Sequence, residues 1–244
     1  MKNTNPLNRR KFLKSSLTGV SGAFLAPVLL QNNEQTATKE GNKQSGKVIK
    51  RALGNTGITL PIVSLGVMRS DNPNLVRASL DQEITHLDTA HVYQNGNNEK
   101  MLGEVLKDYD RDSFVIATKV KPKLKALKEG SISAAEFESS FISMLDTSLE
   151  RLKLNYVDIL YAHALSSKED TTNETLLKTL KKVKKQGKVK HVGVSTHRNE
   201  HEVIRAAADS GVHEVVLTAI NFQQDHKDKI LNEVLEDNGI LMFE

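Results

Sequence analysis

Four side chains suited to moving protons stand at the ends of successive apolar runs: Asp88, Lys119, His163 and, five residues past Asp88, Tyr93. A tyrosine has a reference pKa near 10, too high for easy proton exchange at neutral pH. A buried lysine beside it favours the tyrosinate, and an aspartate paired with that lysine keeps it charged and in place. A neighbouring histidine can donate to a carbonyl oxygen and orient it. Tyr93 as proton donor, Lys119 and Asp88 as a tuning pair and His163 as orienter would together make a carbonyl carbon electrophilic. The chain has no cysteine, which excludes disulfides, cysteine zinc sites, iron–sulfur ligation and a thiol nucleophile. The sequence offers no metal-ligand cluster either, so this chemistry points to an external hydride donor. Taken singly, a strand-end Asp caps a turn, a Lys is solvated and a His is structural. Useful groups ending three successive strands, followed by Ser195-Thr196 at the end of the next, are a different observation, because a barrel makes strand ends converge.

The elements that must position these groups alternate from Val48 onward. Val48–Leu53, Gly54-Asn55-Thr56-Gly57 and Ile58–Pro61 predict a hairpin around a glycine-rich turn. Seven strand-length apolar runs follow: Ile62–Leu65, Ile84–Leu87, Phe114–Thr118, Val157–Tyr161, Val189–Val194, Val215–Ile220 and Ile240–Phe243. Between them lie helical stretches with start signals. Ser133 and Glu136 form an S-x-x-E box ahead of a core-facing stripe of Phe137, Phe141, Met144, Ser148 and Leu152. Thr171/Glu174 and Asn199/Glu202 repeat the device, and Gly187, Gly211 and Gly239 stand where C-caps belong. Buried strands with helical crossovers predict an α/β fold with a parallel sheet, doubly wound or a (β/α)8 barrel. No G-x-G-x-x-G follows the first strand, which weighs against a Rossmann site.

The body of the chain, from about Val48 to Glu244, resembles the aldo-keto reductases. The similarity rests on Leu53-Gly54-Asn55-Thr56-Gly57, Ser64-Leu65-Gly66 and Leu87-Asp88-Thr89-Ala90-His91-Val92-Tyr93, with Asn98-Glu99 and Leu102-Gly103 following. It continues through Ala117-Thr118-Lys119, Asp158-Ile159-Leu160-Tyr161-Ala162-His163 and Gly187-Lys188-Val189-Lys190-His191-Val192-Gly193-Val194-Ser195. The resemblance implies a β/α barrel with the hairpin closing its bottom, a nicotinamide cofactor stretched across the top, and reduction of a small-molecule aldehyde or ketone. The cofactor it implies is NADP(H), with NAD(H) left open. By the match Asp88, Tyr93, Lys119 and His163 are the catalytic tetrad, with His163 also meeting substrate, and Met68, Asp88, Ser195 and Thr196 line the cofactor. Thr196 stands where the family commonly has Asn, and Leu217 or Thr218 where a Gln usually ends the sixth strand. The resemblance also implies an eighth strand and cofactor-clasping loops beyond Glu244. Setting residues 1–47 aside leaves 197 of the 244, against roughly 250 for the fold. The expectation is therefore a barrel truncated before strand eight, and the alternative is a remnant or binding module without catalysis.

The net charge of +4 invites a nucleic-acid reading until it is divided. Residues 1–50 hold nine Lys/Arg and two Asp/Glu, and the remaining 25 basic and 28 acidic residues leave 51–244 at −3. The positive charge belongs to the leader, and nucleic acid is disfavoured as a partner of the body. That leader reads Asn-Arg-Arg-Lys-Phe-Leu-Lys over residues 8–14, then sixteen uncharged residues from Ser15 to Leu30. The Arg9-Arg10 pair before a short apolar stretch resembles a twin-arginine (Tat) signal, so residues 1–30 predict export through the Tat machinery. A disordered basic tail is the plainer alternative. Residues 31–47 read as a polar linker. Pro27 obstructs cutting after Ala26, so cleavage of the signal and its retention as a membrane anchor both stand open. His197-Arg198-Asn199-Glu200-His201 matches H-x-x-E-H, but Asn199 reads as an N-cap that leaves His197 in the preceding loop, against a metal site. The lysines of 181–190 suit a helix C-terminus and solvent, and residues 121–132 form a basic insertion after the third strand.

Overall fold

The computed structural model describes residues 48–219 and 242–243. The expected Tat-type signal over residues 1–30, the expected linker over 31–47, Gly239 and most of the last apolar run lie outside the described residues. Strands β1 (Lys50–Ala52) and β2 (Thr59–Pro61) pair antiparallel with Ala52 opposite Thr59. Their turn closes with the Leu53 N–H on the Ile58 carbonyl at 2.8 Å. Gly54 and Gly57 take φ of 50° and 76° there, backbone that glycine adopts at no steric cost.

The rest alternates as the pattern predicts: β3 (Leu65–Gly66), α1 (Pro73–Asp81), β4 (His86–Asp88), α2 (Asn97–Leu106), β5 (Val115–Val120), α3 (Leu124–Lys128), α4 (Ala134–Leu152), β6 (Val157–Ala162), α5 (Lys168–Thr171), α6 (Glu174–Lys185), β7 (Val189–Thr196), α7 (Glu200–Asp209), β8 (Val215–Thr218) and β9 (Met242–Phe243). Strands β3 to β9 form one parallel sheet whose spatial order is their chain order. A doubly wound sheet reverses its winding at a switch point. This sheet never does, which is the winding of a β/α barrel.

Side chains alternate across each strand, and the core divides accordingly. Ile116, Leu160, Val192, Val194 and Val216 face the helices, packed with Phe137, Phe141, Leu176 and Val203. Ala117, Ile159, Tyr161, Val215 and Leu217 face the other way and cluster with Leu53 and Leu60 of the hairpin. The hairpin therefore floors the inner face near Val115, the first residue of β5.

Local departures from the pattern have physical reasons. The Ser133–Glu136 capping box is formed, but Leu145 and Leu149 join the buried stripe while Met144 is half-buried. At α6 the cap is Asn173, whose side chain accepts from Leu176 N. Thr171 instead ends the short α5, its hydroxyl bonded to Ser167 O. Asn199 holds the N-cap position of α7 in left-handed backbone (φ 53°), yet its amide donates to Ser166 O rather than capping. Ile62 and Val63 are exposed at 56% and 55%, because the hairpin captures this stretch: Ile62 N–H donates to Ile49 O, and β3 begins only at Leu65. Gly187 and Gly211 follow α6 and α7 with positive φ, as C-caps should. No helix among the described residues is long and apolar enough to cross a membrane.

Candidate active site

Two-residue periodicity fixes which strand-end groups meet. Asp88 pairs with Ala117 across β4 and β5, Lys119 with Tyr161 across β5 and β6, and Ser195 with Leu217 across β7 and β8. Ala117, Tyr161 and Leu217 belong to the inner cluster. Asp88, Lys119 and Ser195 therefore share that face at the C-terminal ends of their strands, with His163 two residues beyond Tyr161.

Lys119 is the hub, 1% exposed. Its ammonium forms an ion pair with Asp88, donates to Thr89 O at 3.1 Å and donates to Tyr93 Oη at 3.1 Å. Burial works against its charge, but Asp88 and Tyr93 outweigh that penalty and hold its pKa above the ordinary amine value. Tyr93 stands edge-on to His163, ring centroids 6.0 Å apart and planes at 82°. His163 is pushed down to about 4, by burial first and then by the charges of Lys119, His197 and Lys121. Its imidazole is neutral near pH 7. Nδ1 has no hydrogen-bond partner among the described residues. The tautomer with its proton on Nε2 leaves an acceptor rather than a donor unmet.

Ser195 is buried, and its hydroxyl accepts from Ala164 N at 2.9 Å while keeping its own hydrogen to donate. Ala164, directly after His163, has φ 57°. Left-handed backbone at a non-glycine residue costs roughly 1–2 kcal/mol, so Ser195 also steadies a strained turn beside His163. Thr196 is not brought to the group. One residue on, it faces the opposite side of β7, and its hydroxyl is bound to the Arg198 backbone at 2.8 and 3.3 Å. Met68 lies past β3 with an exposed side chain, its carbonyl accepting from Gln94 Nε2 at 3.5 Å. His197 lies exposed in the loop before α7.

The motif reading includes Asn98-Glu99 but gives these residues no role, and the structure shows that they build a supporting layer. The amide of the buried Asn98 donates to Val67 O at 2.7 Å and Ser70 O at 3.0 Å, and accepts from Thr89 Oγ1 at 2.5 Å. It thereby staples the β3 and β4 loops together. Glu99, 0% exposed, accepts from Thr118 Oγ1 at 2.7 Å and pairs with Arg151 at 3.1 Å. Arg151 in turn donates to His91 O at 2.9 Å. The available signal was positional: Asn98 and Glu99 fall on the buried stripe of α2 with Leu102, Gly103 and Leu106, where polar residues need partners.

The sequence and the fold are similar to those of known proteins. L-Galactose dehydrogenase of Arabidopsis thaliana is 35% identical over 163 residues, covering 61% of this chain and 49% of the relative. L-Glyceraldehyde 3-phosphate reductase of Escherichia coli (strain K12) is 30% identical over 168 residues, covering 64% and 47%. The chain thus spans about half the length of these curated relatives. An aldo-keto reductase of Klebsiella pneumoniae, solved in complex with NADPH, superposes with TM-score 0.62 at 22% identity over 79% of this chain and 66% of that one. A Bacillus halodurans aldo-keto reductase in its holo form gives TM-score 0.62 at 22% identity over 79% and 64%. At such identities the structural likeness speaks for the fold. The sequence profile that matches residues 53–243, from the hairpin turn through every strand that carries the polar cluster, is that of the aldo/keto reductases, and the chain belongs to that family.

Proposed function

We propose that the chain is an NAD(P)H-dependent oxidoreductase that reduces an aldehyde or ketone to an alcohol, with Tyr93 as the proton donor. The observation that carries this reading is the buried Lys119 ammonium, held by Asp88 and 3.1 Å from Tyr93 Oη. The residues fit a nicotinamide: Ser195 offers a buried hydroxyl hydrogen on the inner face beside Lys119 and His163, suited to a carboxamide oxygen, and the Met68 loop lies past β3. Thr196 has its hydroxyl committed elsewhere. When bound, the cofactor would supply the hydride that the carbonyl carbon accepts.

The chain's own residues supply the rest. Tyr93 Oη gives its proton to the carbonyl oxygen as negative charge develops there. Lys119 stabilises the tyrosinate left behind, and Asp88 keeps Lys119 charged in a site where a lone ammonium would be costly. Neutral His163 donates from Nε2 to the same oxygen, orienting the carbonyl. The NADPH complex of the Klebsiella relative supports the cofactor class. Full chain mixed with NADPH or NADH and a panel of aldehydes and ketones is expected to consume cofactor, and Tyr93→Phe to stop it. Equal turnover by that variant would remove Tyr93 from the role.

The reading extends to domain organisation and location: a Tat-type signal over 1–30, a linker over 31–47 and the reductase body over 48–244. Arg9-Arg10 ahead of sixteen uncharged residues supports export by the Tat machinery. That route carries folded proteins, so the nucleotide would travel in place. Replacing both arginines by lysine should leave the protein in the cytoplasm on fractionation, and unchanged export would exclude this signal.

A further inference from the structure

We infer that Arg151 is a positioning residue that, through Glu99 and the His91 carbonyl, sets the separation between Tyr93 and Lys119. The inference rests on the reading of Tyr93 as proton donor. The two groups reach the site by different routes. Lys119 is on a strand, while Tyr93 opens a single-turn helix, Tyr93–Gly96, in which Gln94 and Asn95 take φ of 48° and 55°. Two adjacent non-glycine residues in left-handed backbone cost roughly 1–3 kcal/mol each and persist only where the surroundings hold them.

The Gln94 amide holds the turn from one side through Met68 O and Ser70 O, and a closed brace holds the chain that leads into it. Thr118, next to Lys119 in β5, donates to one oxygen of the buried Glu99 at 2.7 Å. The other oxygen takes Arg151 at 3.1 Å, and Arg151 donates to His91 O, two residues before Tyr93, at 2.9 Å. The His91 N–H returns to Lys119 O at 2.9 Å, closing the circuit on β5. The guanidinium also lies against Gly96, the end of the strained turn. A Cβ there would come within 2.3 Å of Arg151 Cζ, and Gly96 has φ 85°. Arg151 therefore holds the turn at both ends, with Glu99 tying that grip to the strand of Lys119.

The test uses the full chain with NADPH and the best aldehyde of the panel. A misplacement near 1 Å costs about 10²-fold in rate. Arg151→Met is accordingly expected to lower kcat by about 30–100-fold, with KM for both substrates unchanged within about threefold, the signature of an interaction made in the transition state. Arg151→Lys keeps the charge for Glu99, but its ammonium ends one bond short of Nη1, the nitrogen that contacts both Glu99 and His91 O. It is expected to recover the melting temperature without recovering kcat. Recovery of both together, or a kcat loss no larger than the unfolded fraction, overturns the inference. If Arg151→Met does not fold, Glu99→Gln takes its place, with the same expected split between kcat and KM. Amide hydrogen exchange of residues 91–97 decides the case without turnover. Faster exchange confined to that segment in both Arg151 variants sustains the brace, even if the wild-type chain reduces no carbonyl and only the proposed reaction falls. Unchanged exchange there overturns the brace whatever the activity.

Discussion

Two layers of the barrel interior lie one side chain apart and have opposite characters. The lower layer is Ala117, Ile159, Tyr161 and Val215 over the hairpin residues Leu53 and Leu60. The upper layer is Lys119, two residues past Ala117, His163, two past Tyr161, and Ser195, two past Gly193, joined by Asp88 and Tyr93. The lower layer is held by burial of apolar area, which is non-directional. The upper layer is held by directed bonds among groups whose charges are expensive to bury unpaired. The barrel thus separates its stability from its chemistry over one residue pair of strand length, about 7 Å.

This division can be broken or sharpened by substitution. The largest effect is expected for Tyr93→Phe: a loss of about 10²–10⁴-fold in kcat, with the melting temperature nearly unchanged in thermal denaturation. A comparable loss of stability would merge the two layers. Ile159→Ala in the lower layer should do the reverse, costing about 2–4 kcal/mol in denaturant titration while kcat per folded molecule holds. Gly193 lies between the layers on β7, where a Cβ would meet Val215 O at 2.0 Å and Tyr161 Cδ1 at 3.1 Å. Gly193→Ala should therefore cost about 1–3 kcal/mol and, unlike Ile159→Ala, also lower kcat by displacing Ser195.

The smallest expected effect is on pH dependence. His86, buried on the inner face, is held down to about 4 by burial first and by the charge of Lys119 second, and His163 is held to about 4 as well. In the unfolded chain both bind protons near 6.5. Between about 6.5 and 4 the unfolded state therefore carries more protons than the folded state, and stability falls as pH falls through that window. Melting curves at pH 7 and pH 5 should show the drop, and His86→Gln should shrink it. A variant that melts like the wild type at both values would clear His86 of this part.

The sequence made the strand ends legible because chemistry-bearing types at the close of apolar runs stand out against their surroundings. It placed Asp88, Tyr93, Lys119 and His163, and the structure brings these together. Ser195 and Thr196 could not be told apart from sequence, since adjacent residues lie on opposite faces and only the register of β7 with β8 decides which points inward. Arg151 was invisible for another reason. It sits beside the apolar stripe of α4, where an arginine is ordinarily solvated, and its partners come from 52 and 60 residues earlier in the chain. Strand β3 was misjudged at its start because the competition between hairpin and sheet for Ile62 is a tertiary matter.

The agreement between strand order and chain order has a consequence for biogenesis. Each described pairing in the wall joins consecutive βα units, so the loops closed on folding are short and the barrel can grow as it is synthesised. Asp88 and Lys119 sit in adjoining units, 31 residues apart. Their ion pair is available before His163 or Ser195 has left the ribosome. The ammonium thus enters the closing interior already matched, and the costliest group of the site need not pass through an intermediate that buries it alone.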